Sequence, residues 1–237
     1  MPRIFPNPTR DEQIAFTYHS TRIERIPLSK KDIDQTLSGS KINPFVEGQL
    51  KCLNLTKTLA SNENFIPHPD NVKTYNVLDH LEWMKNLHKN MLKTVAEYGY
   101  KMNDPNLIHP KYVGKWRDST HWVSETQMPN PFKIKQHLHH WLLNIANFHQ
   151  QYKEKIEQPH LLNQQDIINL VNQTYDANLR ICCIKPFQDG SNRIARLIEN
   201  ILRLNFGLPF KIIRFEDEFK MPYINDIKSM QINYLPD

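Results

Sequence analysis

The sequence is poor in glycine and cysteine. Among its 237 residues are six glycines and three cysteines. Two of the cysteines, Cys182 and Cys183, are adjacent, and the three have neither the spacing of a zinc site nor that of a disulfide framework. There is also no internal repeat and no low-complexity linker. The composition therefore argues against a disulfide-rich scaffold, a zinc module and a repeat protein, and we expect the cysteines to be small apolar residues of helices.

Long hydrophobic runs are lacking as well. No stretch of about 18 apolar residues exists, so we expect no membrane-spanning segment. The N-terminal stretch MPRIFPNPTRDEQ has no apolar core of the kind found in secretory signals. We therefore expect a cytoplasmic location, with export as an effector as the alternative.

Runs of basic residues are missing too. The net charge is +5 and the isoelectric point is about 9.0, which suits anionic ligands such as nucleotides. No cluster of Lys and Arg has the form of a nucleic-acid-binding arm, so we expect no specific nucleic-acid partner. The content of 39% hydrophobic and 23% charged residues is ordinary for a globular chain, and the length fits one large domain or one domain with an extension.

What the sequence does contain is one stretch around which the rest is organised, Lys185–Arg196, with the sequence KPFQDGSNRIAR. Apolar residues at helical spacing predict one helix before it, over 165–184, and another after it, over 192–206. The turn between them holds Asp189 and Gly190 and delivers backbone N–H groups to the start of the second helix. Unpaired N–H groups and the helix dipole both favour negative charge, so we predict an anion site there.

Two arginines lie on the first turn of this second helix. Arg193 and Arg196 are three residues apart and therefore share a face, and Asp189 places an acid next to them. An anion site, a carboxylate able to hold a cation and two arginines are the groups that phosphoryl or nucleotidyl transfer needs.

The same stretch resembles the signature loop of the Fic (filamentation induced by cAMP) family, HPFx(D/E)GNGRxxR. Six positions keep the family's residues and spacing: Pro186, Phe187, Asp189, Gly190, Arg193 and Arg196. Three positions depart from it, because Lys185 stands at the family's histidine, Ser191 at its asparagine and Asn192 at its glycine or lysine. The resemblance implies an all-α fold with a small β-hairpin, the flap, near residues 119–130.

By this resemblance, the chain transfers AMP from ATP to a hydroxyl side chain of a target protein. Asp189 would hold Mg²⁺ against the phosphates, and Arg193 and Arg196 would bind the outer phosphates. Backbone N–H groups of the turn would form the rest of the anion site, with the Ser191 hydroxyl in place of the family's asparagine. The expected catalytic residues are Lys185, Asp189 and Arg193, and the expected nucleotide-binding residues are Gly190, Ser191, Asn192, Arg193 and Arg196.

Lysine at the family's histidine position is compatible with more than one function. Histidine ordinarily titrates near pH 6.5 and lysine near 10.4, so making a lysine into a base at neutral pH costs roughly 4 kcal/mol. A charged lysine still binds phosphate as a point charge. Three functions therefore stay open: an AMP transferase, a nucleotide-binding pseudoenzyme that acts through protein contacts, and another type of phosphoryl transfer, as in the related death-on-curing kinases.

A helix is predicted near the N-terminus. Thr9 followed by Glu12 is a capping-box pattern, and the helix should run from there to about Arg25. Ser20 and Glu24 are four residues apart and share one face of it. Taken alone, this is a solvent-exposed helix face with an incidental acid.

The segment over residues 20–29, STRIERIPLS, resembles the inhibitory segment of Fic proteins, (S/T)xxxE(G/N), with Arg25 in place of glycine or asparagine. The resemblance implies that Glu24 pairs with Arg196 and blocks the position of the γ-phosphate of ATP. The chain is then similar to the Fic class with an N-terminal inhibitory helix, in which Ser20 and Glu24 are the inhibitory residues.

The stretch Gly114–Arg117 resembles the G-x-(F/W)-R segment that precedes the Fic flap. His121, Trp122 and Val123 would form the first strand of the flap, and residues 128–131 the return turn. The resemblance implies that this hairpin docks a segment of the target protein by strand addition. A plain surface hairpin is the alternative.

Histidines are frequent in the helix predicted over 132–151, but we expect no metal there, because no H-E-x-x-H pattern and no acidic partner at ligand spacing accompanies them. His88, on a long helix predicted over 76–98, is expected to be a packing or surface residue.

We expect three parts in the chain: an N-terminal helical region over 1–60, a Fic core over 61–210 and a C-terminal extension over 211–237. The sequence of the extension is compatible with either a helix or a hairpin. A homodimer is left open.

Overall fold

The structure, a computed structural model, describes residues 8–60, 62, 65–74, 81–104, 106–120, 122–123 and 126–233. The predicted all-α fold is confirmed, and among these residues no helix is both long and apolar enough to cross a membrane. The helices and strands are α1 Arg10–Ile23, α2 Lys30–Leu37, α3 Pro44–Ala60, α4 Pro69–Thr74, α5 Glu82–Lys101, β1 Trp122–Val123, β2 Thr126–Gln127, α6 Ile134–Glu157, α7 Gln164–Ile184, α8 Ser191–Asn205 and α9 Asp217–Asn233.

Helix α8 lies at the centre of the core. Every residue from Arg193 to Leu204 is buried, because α7 packs along one side of the helix and α3 along another. Helix α3 also packs on α5, so the predicted N-terminal region shares this core, and the three-part division of the chain stays a prediction. The polar residues of α8 are buried with the apolar ones, which is costly unless each finds a partner.

The polar residues in the second half of α8 do find partners. The Glu199 carboxylate accepts hydrogen bonds from Asn178 (2.6 Å) and from Lys211 (2.7 Å). The Asn200 amide bonds the backbone of Lys211 in both directions, at 2.7 and 3.0 Å. Arg203 donates to the carbonyl of Pro209 (2.8 Å). These bonds hold the irregular segment that follows α8 against the core.

Helix α1 begins with the predicted capping box. The Thr9 hydroxyl accepts the Glu12 N–H at 3.2 Å, and the Glu12 carboxylate accepts the Thr9 N–H at 2.7 Å. The helix ends at Ile23, slightly before the predicted end, because Arg25 takes a left-handed conformation with φ of 62°. Non-glycine residues seldom take this conformation. Arg25 therefore still ends the helix, although it replaces the family's glycine or asparagine.

Two helices are longer at their C-terminal ends than the sequence predicted. Helix α6 extends past the predicted end at residue 151 because Tyr152 and Ile156 continue its buried face. Helix α5 continues through Gly99, and it ends before Asn103, whose φ of 52° is left-handed. The predicted start of α5 falls on residues 75–80, outside the described residues.

The predicted hairpin region contains two strands, and the C-terminal extension, whose secondary structure the sequence left undecided, contains a helix. Strands β1 and β2 pair antiparallel within the predicted hairpin region, with Trp122 opposite Gln127 and Val123 opposite Thr126. The C-terminal extension contains helix α9 rather than a hairpin, with Pro222 in its second turn. A proline there removes one backbone N–H from the helix, but the packing of Tyr223 and Ile227 into the core keeps α9 in place.

Candidate functional site

The loop over 185–190 joins α7 to α8 through two residues with left-handed backbones. Lys185 ends α7 with φ of 47°, and its N–H still donates to the carbonyl of Ile181 at 3.0 Å. Gly190, with φ of 77°, precedes the first residue of α8. A side chain at position 190 would be strained by this backbone, and its Cβ would lie only 3.0 Å from Leu92. The left-handed backbone and the close approach of Leu92 therefore explain why the loop has a glycine at position 190.

Phe187 anchors the loop in the core. Its ring is 1% exposed and stacks on His88 and Trp116, with ring centroids 4.0 and 5.0 Å away. The Ser191 hydroxyl accepts the Phe187 N–H at 3.1 Å and lies 3.2 Å from the Phe187 carbonyl as a donor. The Ser191 side chain is thus engaged within the loop, and the prediction that it binds nucleotide now depends on its backbone N–H.

His88 has a role in the site that the sequence did not indicate. Its Nε2 lies 2.9 Å from the carbonyl oxygen of Asp189, and its Nδ1 accepts the Gly114 N–H at 2.8 Å. Burial lowers the pKa of His88 to about 4, against smaller opposing effects from Asp189. The ring is therefore neutral near pH 7, with one donor and one acceptor nitrogen. Its position next to Leu87 on the apolar face of α5 was the only signal in the sequence.

Arg117, the last residue of the quoted G-x-(F/W)-R segment, connects the loop to the hairpin. Its buried guanidinium donates to the carbonyls of Lys185 (2.6 Å) and Ser119 (3.0 Å), and also to that of Pro129. Its own N–H donates to the Pro186 carbonyl at 2.9 Å. Burial lowers the pKa of Arg117 to about 10, so the side chain remains charged at neutral pH. The sequence predicted the segment but not this bridge.

Asp189 is the exposed acidic residue of the loop. One carboxylate oxygen accepts the Gly190 N–H at 2.6 Å, and the other accepts from Arg193 at 3.0 Å. The side chain is 54% exposed. The described residues contain no group of three or more His, Cys, Asp or Glu that could hold a metal. An exposed carboxylate beside the predicted anion site nevertheless fits Mg²⁺, which is commonly held by one or two carboxylates together with substrate phosphates.

The two arginines of α8 are buried and only partly paired. Arg193 is 6% exposed and Arg196 is 2% exposed. In the described structure, Nε of Arg193 and Nη1 of Arg196 are buried without a hydrogen-bond partner. A buried charged donor left unpaired is costly. Both nitrogens belong to residues of the predicted phosphate site at the N-terminal end of α8, where the helix dipole favours negative charge.

Arg196 makes its remaining side-chain contacts with Ser20 of α1 and with Glu24, which directly follows α1. It donates to the Ser20 hydroxyl (3.1 Å), the Ser20 carbonyl (3.0 Å) and the Glu24 carboxylate (2.8 Å). Burial by itself raises the pKa of Glu24, but Arg196, Arg193 and Lys185 outweigh it, so the pKa of Glu24 is lowered. Glu24 is therefore a carboxylate at neutral pH, next to the positive charges of the predicted phosphate site.

The remaining predicted site residues are Lys185 and Asn192 of the loop region and three residues of the hairpin region. The Lys185 ammonium donates to the side-chain oxygen of Asn192 at 2.6 Å, so two of the three departures from the family motif contact each other. Trp122 and Val123 form β1, and their side chains lie outside the described part of the structure, as does all of His121. The structure thus brings the predicted catalytic, nucleotide-binding and inhibitory residues together, while their roles stay predictions.

The comparison with known families agrees with this geometry. The model of the Fic/DOC family matches residues 76–202, which is more than half of the chain. The chain therefore belongs to the Fic/DOC family, and the resemblance found in the sequence is confirmed.

The individual proteins that the chain is similar to share little sequence identity with it. The chain is 23% identical over 185 residues to the "Protein adenylyltransferase Fic" of Nematostella vectensis, covering 73% of this chain and 38% of that protein. A Fic domain containing signaling protein from Bacteroides thetaiotaomicron has 16% identity and a TM-score of 0.62, covering 96% of this chain and 74% of that one. Fic-1 from C. elegans has 17% identity and a TM-score of 0.64, covering 95% and 57%. The chain spans less than half of the curated relative, and the structures show a shared fold.

Proposed function

We propose that the protein transfers AMP from ATP to a hydroxyl side chain of a target protein, and that Glu24 restrains this activity. The observation that carries the proposal is the pairing of Arg196. This buried arginine has one unpartnered nitrogen and one nitrogen paired with the carboxylate of Glu24, the residue directly after α1. The relative from Nematostella vectensis is named a protein adenylyltransferase, which supports the same activity.

The start of α8 provides the phosphate site. The first backbone N–H groups of the helix, at Ser191, Asn192 and Arg193, have no partner within the helix because no helical carbonyl lies four residues before them. Together with the arginine side chains they favour the phosphates of ATP. In the reaction, the hydroxyl oxygen of the target bonds to the α-phosphorus and its proton passes to the solvent, while the bond from that phosphorus to the bridging oxygen breaks and pyrophosphate leaves. When bound, Mg²⁺ held by Asp189 would offset the negative charge of the phosphates.

Glu24 restrains this arrangement by occupying the arginine that would bind the outer phosphates. Its carboxylate lies 2.8 Å from Nη2 of Arg196, and charge repulsion disfavours a γ-phosphate at the same place. ATP loses more from this repulsion than AMP does, because AMP has no β- or γ-phosphate.

A second function is favoured by Lys185. Its ammonium group is hydrogen-bonded to Asn192 at 2.6 Å, an arrangement that suits a charged group bound to phosphate rather than a base that removes the target's proton. In that case the chain binds nucleotide without transferring AMP and acts through contacts with other proteins.

The position of a radioactive label in ATP separates the functions. Wild type and Glu24→Ala are incubated with a bacterial lysate and with ATP labelled at either the α- or the γ-phosphate. Label transferred from the α-position only, and more strongly by Glu24→Ala, supports AMP transfer. Label transferred from the γ-position indicates phosphoryl transfer instead. Tight ATP binding by Glu24→Ala without label from either position would establish the nucleotide-binding function and reject AMP transfer.

A further inference from the structure

A cavity lies away from the signature loop, between α7, the start of α9 and the segment over 211–214. Its volume is about 510 Å³, within the range of roughly 300–1,000 Å³ that is usual for small-molecule sites. No residue of the loop, and neither Arg193 nor Arg196, contributes to its lining. The cavity is therefore separate from the proposed nucleotide site, and what it binds does not depend on the proposed function.

Two aromatic rings in the lining each have a cation over one face. The Lys211 ammonium lies 4.1 Å from the centre of the Tyr175 ring, and the Arg214 guanidinium lies 5.2 Å from the centre of the Phe219 ring. Phe219 is nevertheless 44% exposed. A large apolar ring left in water beside an open cavity gains free energy when a flat apolar ligand covers it.

The charge of the lining is positive. No carboxylate is among the lining residues, and the charge of Lys211 is already offset by Glu199 at 2.7 Å. Arg214 makes no ion pair with a carboxylate within the described part of the chain, and it is exposed at the rim. The cavity therefore offers one uncompensated guanidinium, which binds carboxylate, sulfonate and phosphate groups well because of its fixed donor geometry.

We propose that this cavity binds a small aromatic anion, with the ring of the ligand on Phe219 and Tyr175 and its acidic group on Arg214. The shared chemistry is a flat apolar ring system with one carboxylate, sulfonate or phosphate. The same segment continues to Phe215, whose N–H donates to Nδ1 of His19 on α1 at 3.3 Å. The segment that lines the cavity therefore also contacts α1.

The test uses 8-anilinonaphthalene-1-sulfonate, an aromatic sulfonate whose fluorescence rises on binding, with the full chain. Arg214→Gln and Phe219→Ala should each weaken its binding about tenfold, as expected for loss of a charged contact or of a stacked ring. Lys228→Gln and Met221→Ala are the matched controls, because both residues are exposed on α9 and neither lines the cavity. Both controls should bind like wild type.

Two further measurements sharpen the result. Saturating ATP should leave the bound probe in place, and a neutral analogue, N-phenyl-1-naphthylamine, should bind Arg214→Gln and wild type equally. Equal affinity of Arg214→Gln and Lys228→Gln for the sulfonate would overturn the proposal. So would displacement of the probe by ATP, since the probe would then lie in the nucleotide site.

Discussion

At the scale of single residues, Lys185 is the position that most affects which reaction the site can support. Lys185 has a left-handed backbone and a side chain bonded to Asn192. Histidine tolerates the left-handed region better than most residues, so the backbone at this position accepts the side chain found in the rest of the family. Replacement of Lys185 therefore changes the chemistry with little effect on the shape of the loop.

We predict that Lys185→His raises AMP transfer at pH 7.5 by about 100-fold in the Glu24→Ala background, because a positioned base of suitable pKa contributes about 10²–10⁴-fold. The rate of the variant should increase as the pH rises through about 6.5, where histidine loses its proton. Transfer of label from α-labelled ATP measures it. Lys115→His, at an exposed lysine outside the loop, is the control. A folded Lys185→His protein no faster than its parent would show that the base is not what limits the reaction.

His88 leads to a prediction about stability. Because burial lowers its pKa to about 4, the folded state resists protonation while the unfolded state takes up a proton near pH 6.5. The contribution of the neutral ring is present above about pH 6.5 and is lost as the pH falls towards 4, by up to roughly 3 kcal/mol in the free energy of unfolding. Urea titrations of wild type and His88→Gln at several pH values measure it.

In that experiment His88→Gln should lose stability at neutral pH and show a weaker pH dependence between pH 6.5 and 4. His140→Gln changes an exposed histidine of α6 and should keep the wild-type dependence. Parallel pH curves for wild type and His88→Gln would mean that other buried groups, such as His19 and His149, account for the effect.

At the scale of elements, one charged pair joins α8 to the residue that directly follows α1. Glu24 and Arg196 are 172 positions apart in the chain, and Ser20 adds two more hydrogen bonds to the same guanidinium. Since the pKa of Glu24 is lowered in the folded state, the pair stabilises the protein above the ordinary pKa of 4.5 and loses this contribution as the pH falls through the lower folded value. Helix α1 is therefore held in place at neutral pH.

We predict that Glu24→Ala tightens ATP binding by at least about tenfold and AMP binding by much less, because only ATP has phosphates at the position of the carboxylate. Isothermal titration calorimetry with both nucleotides measures the difference. Asp11→Ala removes a carboxylate from the exposed start of α1 and controls for net charge. Equal gains for ATP and AMP would show that Glu24 acts through general charge alone and would reject its inhibitory role.

At the scale of the whole molecule, the segment after α8 connects the core to α1. Phe215 packs edge-on against the ring of Tyr18, with centroids 5.4 Å apart, and the Arg22 guanidinium lies over the Phe215 ring, 5.1 Å from its centre. The base of the same segment is held to α8 through Asn200. Phe215 is therefore one of the contacts between this segment and α1, together with the edge-on packing of Phe210 on Phe16.

We predict that Phe215→Ala loosens α1 and tightens ATP binding in the same direction as Glu24→Ala, with a loss of about 1–2 kcal/mol in the free energy of unfolding from the apolar area exposed. Calorimetry and urea titration measure the two effects. Phe219→Ala also removes an aromatic ring, but from a residue that lines the cavity and is partly exposed, so ATP binding should stay at the wild-type value. A destabilised Phe215→Ala protein with unchanged ATP binding would separate this contact from inhibition.

Local patterns in the sequence were enough to predict much of this protein. Helical periodicity predicted α7 and α8, hydroxyl–carboxylate spacing predicted the start of α1, and the motif over 185–196 predicted the family. Each of these depends on residues within a few turns of one another, where backbone geometry alone relates position to structure. The contact of Glu24 with Arg196 followed from resemblance, because no local rule pairs residues so far apart.

Only the tertiary structure decided the rest. His88 bonds the Asp189 carbonyl across 101 positions, and Arg117 bonds the Lys185 carbonyl across 68. Burial, not sequence spacing, selected these side chains, because buried carbonyls and loop N–H groups must find partners wherever the packing brings them. The engagement of Ser191 with Phe187 and the cavity beside Phe219 have the same origin. Residue types and spacing determined the chemistry of the loop, and packing determined which other residues hold that loop in place.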